Sequence, residues 1–298
     1  MNKIERSGKL FKMVFTVLFG EKKLMLFPLI TLAMSMIAIL FFIAPIALYP
    51  NDHPLTSAEP WRHAMHTLFA GLTPHNHADP AVTGEQKWLG AVFFAAFYFV
   101  SMFLATFSNV AFYHEIMQAL SGQAVSIRRG FRVAAARWKA ILLWSLFAGL
   151  VGYILNAIEQ RLNFVGRAIT SFIGVTWSVA SIFVIPTLVR DSETISPIKL
   201  LRRSAHTLKS AWGELVIGIV RVEFPFLFII VLVMMIPIMT GTLSPHYFWI
   251  PFLAIISFGM ICNMVNRVYQ CALFVYATEG VIPEPFDREL LDSAWKVK

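Results

Sequence analysis

Long apolar runs alternate with short polar segments along the whole chain. Six runs reach spanning length, at residues 24–49, 88–113, 140–158, 168–189, 224–240 and 248–276. A helix that crosses a bilayer needs ~20 mostly apolar residues. Only helices and closed barrels satisfy their backbone groups in lipid, and a barrel would show ~10-residue alternating segments. The runs here do not alternate. The pattern therefore predicts an all-α fold: a polytopic transmembrane helical bundle of about six spans, forming a single integral domain over 1–298. The first run is too long for the apolar core of a signal peptide. It ends in Ala47-Leu-Tyr-Pro50 rather than a small-residue cleavage site, so it reads as a retained span.

Between the runs a second periodicity appears. In 196–212 the apolar residues Ile198, Leu201, Ala205, Leu208 and Trp212 recur at helical spacing, with Lys199, Arg202, Arg203, His206 and Lys209 on the remaining positions. Ser196 is a suitable N-cap and Pro197 suits a first turn. Residues 126–138 repeat the theme with Ile127, Phe131, Ala134 and Trp138, and a similar stripe near the N-terminus comprises Ile4, Phe11, Val14 and Leu18. Basic amphipathic helices edged by Trp belong at a membrane surface. Arg128, Arg129 and Trp138 recur 74 residues later as Arg202, Arg203 and Trp212. That offset suggests a parallel repeat of span, surface helix and span, over 88–158 and 168–243; the plainer reading is that every inner loop is basic and begins near a Trp.

Charge fixes the orientation. Nineteen of the 25 Lys and Arg residues precede the first span, lie between spans two and three or four and five, or follow span six. The opposite side holds only Arg62, Lys87, Arg161 and Arg167. The positive-inside rule then places both termini in the cytoplasm. The net charge of +8 is a membrane signature, consistent with 57% hydrophobic and only 14% charged residues. The expected partners are membrane lipids, anionic ones above all, together with other membrane proteins; no nucleic-acid recognition fold accompanies the charge. Arg128, Arg129, Arg132, Arg202, Arg203 and Lys209 are the predicted headgroup contacts, with Trp138 and Trp212 as interfacial anchors.

Candidate chemistry is sparse. Polar side chains inside a membrane are costly and are functional hypotheses by default. Span six carries Asn263, Asn266, Arg267 and Gln270 within one arc, and Arg221 and Glu223 stand at the start of span five. Equal depth suggests an ion pair between Glu223 and Arg267. This cluster is either a polar pathway between helices or interhelical packing, and packing is favoured because the polar row occupies only the inner half of the span. The loop over 51–87 holds His53, His63, His66, His75 and His77, without HExxH or an assisting cysteine, so no metal is expected. The same loop carries a short helical pattern in Trp61, Met65, Leu68 and Leu72. Cys262 and Cys271 fall on opposite faces of one helix and cannot bond to each other. Phosphate loops, GxSxG and dinucleotide fingerprints are absent, so no cofactor is expected. His114, Glu115 and Asp191 are the ionisable groups available for a lipid-modifying enzyme, and adjacent His114 and Glu115 diverge on a helix.

Three stretches carry a family resemblance. They run from Arg6-Ser-Gly-Lys-Leu-Phe-Lys to Leu26-Phe-Pro-Leu, from Ser126-Ile-Arg-Arg-Gly-Phe-Arg-Val-Ala to Trp144, and from Tyr276-Ala-Thr-Glu-Gly-Val-Ile-Pro-Glu-Pro-Phe-Asp onward. Together they resemble a family of uncharacterised prokaryotic six-span integral membrane proteins. The segment from Pro186 to Ser204 is also loosely similar to membrane domains associated with glycerophosphodiesterases and to Yip1-like proteins. The resemblance implies a fold and a bacterial inner-membrane location, and transfers no site residue. The reading that results is a non-enzymatic membrane protein that organises or assists other membrane components. Its rival is a transporter or channel built on the inner polar cluster.

Overall fold

The computed structural model describes residues 3–47, 84–191, 193, 195–210 and 245–286, and every regular element in them is helical. Helix α1 is Lys3–Gly20, and a 3-10 turn Lys22–Met25 leads into α2, Leu26–Ala47. Then come α3 (Gly84–Leu120), α4 (Ile127–Ala136), α5 (Trp138–Glu159), α6 (Phe164–Ser181), α7 (Val184–Arg190), α8 (Pro197–Ser210) and α9 (Pro245–Glu279). Among the described residues, four segments are long and apolar enough to cross a membrane: Lys22–Ala44, Ala91–Leu120, Trp138–Glu159 and Gly166–Arg190. They fit a membrane protein. The run at 224–240, most of the 51–87 loop with its histidines, Trp212, Arg221 and Glu223 lie outside the described residues.

Two differences from the sequence pattern shape the site. Helix α3 continues seven residues past Tyr113, to Leu120. His114 and Glu115 mark the end of the apolar run, yet Glu115 is fully buried, so the helix carries on into protein rather than water. It stops at Gly122, whose φ of +71° suits glycine alone. The Gln123 N–H bonds to the Gln118 carbonyl at 2.9 Å and the Gly122 N–H to Ala119 at 3.0 Å, a Schellman ending. The second difference is a break in the fourth apolar run, at Ile182 and Phe183. Pro186 lacks an N–H, and its ring would clash with the carbonyl four residues back, that of Ile182.

The packed core lies at one end of the molecule, here termed the basic pole. Val14, Leu18 and Leu24 meet Ile116, Val125, Ile141, Leu188, Leu200, Val268 and Leu273 there. Phe27 stacks on Phe112 and Phe131, with ring centroids 5.3 and 5.9 Å apart. Further along, Trp144 stacks on Trp177 between α5 and α6. Away from the pole the apolar faces are open: Phe41, Tyr153, Phe172 and Leu253 are all well exposed. In a bilayer such faces meet lipid, which is as apolar as they are.

Helix α4 lies close against α3. A Cβ added at Gly130 would sit 2.8 Å from the Ala111 carbonyl oxygen and 2.9 Å from Glu115 Cγ. The backbone oxygen cannot move aside. Gly130→Ala should therefore destabilise the detergent-solubilised protein by roughly 1–3 kcal/mol. At Gly174 nothing lies within 4 Å, so Gly174→Ala should leave melting unchanged or slightly raised. Equal melting of the two variants would contradict this close approach.

Candidate functional site

The basic pole is held by arginines that bond carboxylates and helix-end carbonyls. Glu115, on the last turns of α3, has no solvent-accessible side chain. Its carboxylate accepts from Arg129 twice, from Nε at 2.9 Å and from Nη2 at 2.7 Å, and from the Ser126 N–H at 2.7 Å. Arg129 Nη2 also donates to the Ala124 carbonyl at 2.8 Å. Glu115 raises the pKa of the Arg129 guanidinium, chiefly by hydrogen bonding. Ser126 caps α4, its hydroxyl accepting from the Arg129 N–H. Glu21, between α1 and the 3-10 turn, accepts the Val125 N–H at 3.3 Å. One buried carboxylate thus folds the α3–α4 turn back on itself. A buried charge is tolerable only when paired and hydrogen-bonded in this way.

Three further arginines join the helix ends. Arg137, at the α4–α5 corner, donates to the carbonyl of Leu188 and, at 3.0 Å, to that of Asp191. A cation at the C-terminus of α7 meets carbonyls that the helix leaves unpaired. Burial lowers the Arg137 pKa from its ordinary value. Arg190 pairs with Glu279 at the end of α9, and Arg203 of α8 pairs with Asp191. Ser204, next to Arg203 and fully buried, repairs the break between α6 and α7. Its hydroxyl donates to the Ala180 carbonyl at 2.6 Å and accepts the Phe183 N–H at 3.0 Å.

The arginines expected at lipid headgroups therefore divide. Arg128, Arg132 and Arg202 are exposed and outside any of the ion pairs described, whereas Arg129 and the exposed Arg203 are committed to carboxylates. Trp138, the first residue of α5, is about half exposed. Lys209 lies on the last turn of α8. Trp212 lies outside the described residues. The buried stripes also differ from the sequence reading. On α8, Leu200, Ser204 and Leu208 are buried while Ile198 is exposed, and on α4 Gly130 joins Ala134 inside.

The polar residues of α9 gather around one ring. Tyr113 of α3 donates its hydroxyl to Gln270 at 2.5 Å. The Arg267 guanidinium lies over the Tyr113 ring, 5.4 Å from its centroid, and its Nε donates to Asn263. Asn266 is half-buried on the same helix. Three of the four residues thus form one seam between α3 and α9. The proposed counter-ion Glu223, like Arg221, lies outside the described residues. Among the described residues, no group of three or more His, Cys, Asp and Glu side chains could hold a metal ion. Of the groups considered for lipid chemistry, Glu115 and Asp191 are each held by an arginine, and His114 Nε2 lies 3.8 Å from Glu115 Oε1.

Sequence reasoning missed Tyr113, Gly130, Arg137 and Ser204. One signal for the latches was present: each Arg-Arg pair has an acid a dozen or so residues upstream, Glu115 before Arg129 and Asp191 before Arg203. The two latches should differ in strength. The Arg129–Glu115 side chains are 36% and 0% exposed, against 57% and 18% for Arg203–Asp191. Glu115→Ala should cost about 3–5 kcal/mol, as for a broken buried pair, and Asp191→Ala about 1 kcal/mol or less, as at a surface. Thermal or denaturant melting of the two variants checks the order; an Asp191→Ala loss equal to that of Glu115→Ala would contradict it.

Comparison with known proteins gives one match. A family model, described as a family of unknown function (DUF6159), covers residues 89–283, well over half of the chain. The matched region contains both Arg–carboxylate latches and the Tyr113–Arg267 seam. No curated protein and no solved structure matches the chain. The chain belongs to the DUF6159 family, whose function is unknown.

Proposed function

We propose that this protein is a non-enzymatic integral protein of the bacterial inner membrane, with both termini in the cytoplasm. It engages anionic lipid through α4 and α8 and thereby organises or assists other membrane components. One observation carries the reading. Arg128, Arg132, Lys199 and Arg202 are exposed on helices whose opposite faces are locked onto the ends of apolar, membrane-length helices. A helix fixed there holds its cations at headgroup level. Each contributes ~1 kcal/mol of attraction to an anionic leaflet. In this reading α9, 35 residues long, is a further span, and the 224–240 run is another.

A second reading, a transporter or channel, draws on Arg267. Its guanidinium sits within a largely apolar helix, a placement that marks functional residues in membranes. The contacts to Tyr113 and Asn263 give it a packing role instead, and the lipid reading is preferred for that reason.

Two measurements test this. Purified protein in vesicles containing an anionic phospholipid should melt higher than in purely zwitterionic vesicles. The gain should shrink at high salt and in R128Q/R132Q/R202Q. Equal melting in both lipids at low and high salt would remove the lipid role. Solute flux through the same vesicles should be absent; a flux abolished by Arg267→Ala would replace the reading with permeation.

A further inference from the structure

Helices α4 and α8 are built on one plan. Residues 127–134 and 201–208 are related by the 74-residue offset, and burial matches at seven of the eight positions, Arg129 being half-buried and Arg203 exposed. Arg128 and Arg202 are exposed, Gly130 and Ser204 buried, Phe131 and Ala205 half-buried, Arg132 and His206 exposed, Ala134 and Leu208 buried. The contacts also correspond. In each Arg-Arg pair the second arginine pairs with a carboxylate near the end of a preceding apolar helix, Arg129 with Glu115 and, while itself exposed, Arg203 with Asp191. The next residue makes the close approach, Gly130 to the Ala111 carbonyl of α3 and Ser204 to Ala180 and Phe183 at the α6–α7 break.

This division of labour leaves the first arginine outward together with the residue four positions on. Arg128 thus stands with Arg132, and Arg202 with His206. On a helix such residues are surface neighbours, with Cβ atoms ~5–6 Å apart. No ion pair among the described residues engages any of the four. At Arg128/Arg132 like charges at this spacing repel each other, and an anion shared between them reverses the sign; at Arg202/His206 one guanidinium supplies the charge and the imidazole a further hydrogen-bonding group. Guanidinium groups suit phosphate, whose oxygens accept their paired N–H donors.

We infer that Arg128/Arg132 and Arg202/His206 are two quasi-equivalent sites, each holding the phosphate of one anionic phospholipid headgroup. The inference rests on the lipid reading and narrows it. Arg129 and Arg203 leave the headgroup set, because they hold the helices in place, and His206 enters it. The Arg128/Arg132 site binds more tightly, since it offers two guanidinium groups where the other offers one.

The test is native mass spectrometry of the full chain in detergent, titrated with phosphatidylglycerol or with phosphatidylcholine. Two tightly retained phosphatidylglycerol molecules are expected, and none of phosphatidylcholine. R128Q/R132Q should remove one, weakening it about thirtyfold from the contribution of two near-surface cations. R202Q/H206Q should remove the other. All four side chains are exposed, so these variants should fold. K22Q/K23Q, which neutralises exposed cations at the same pole, should keep both lipids. If K22Q/K23Q loses as much as R128Q/R132Q, the attraction is diffuse: the two sites are overturned and the lipid reading stands. Equal retention of both lipids by wild type overturns the lipid reading itself. Competition by millimolar inorganic phosphate, lost in R128Q/R132Q, would support the arginine pair and overturn its assignment to headgroups.

Discussion

The buried carboxylate of Glu115 sets the geometry of the basic pole. A carboxylate without access to water is strongly unfavourable unless its charge and its lone pairs are answered. Here two donors from Arg129 and one from the Ser126 backbone answer them. To reach Glu115, the chain must reverse over 121–126 and begin α4 at Ile127. Once α4 is placed, Gly130 lies on α3, Phe131 stacks on Phe27, and Arg137 at the far corner reaches the end of α7. The outward position of Arg128 and Arg132 follows from the same register.

This arrangement suits a chain whose solvent is lipid. Apolar helices gain little from burying apolar surface against each other when the alternative is an equally apolar acyl chain. Polar contacts and close packing must then do the organising. In this protein they are concentrated where the helices end: four arginines tie α3, α7, α8 and α9 together there. Away from that pole the helices expose Phe41, Tyr153, Phe172 and Leu253. Ser204 shows the same economy on a smaller scale, as one hydroxyl satisfies two backbone groups at the break between α6 and α7, the Phe183 N–H and the Ala180 carbonyl.

Hydropathy alone located the four described segments of membrane-crossing length, because a run such as 140–158 has one solvent in which it is stable. It misjudged the end of α3, since His114 and Glu115 look like a water boundary until Arg129 is seen to cover the carboxylate. Charge counting identified the basic segments but treated their arginines alike. Arg128 and Arg129 are adjacent and differ by ~100° around the helix, so one faces out and the other in. The arc of polar residues in α9 was also legible, and Asn263, Arg267 and Gln270 do converge. Their shared partner Tyr113 was not, because it comes from a helix 150 residues or more away in the sequence, and pattern carries no such pairing. The run at 168–189 reads as one helix; the break at Ile182 and Phe183, beginning four residues before Pro186, and its repair by Ser204 needed the fold.

The claim that a buried ion pair organises the basic pole is most directly tested by amide hydrogen exchange over residues 121–126, in the membrane-reconstituted protein. This is a loop, yet the N–H groups of Ser121, Gly122, Gln123, Val125 and Ser126 are all hydrogen-bonded. The account predicts slow exchange there, speeding up in Glu115→Gln while the middle of α5 stays protected. Exchange at the rate of an unstructured peptide in the wild type, or protection unchanged by Glu115→Gln, would contradict it.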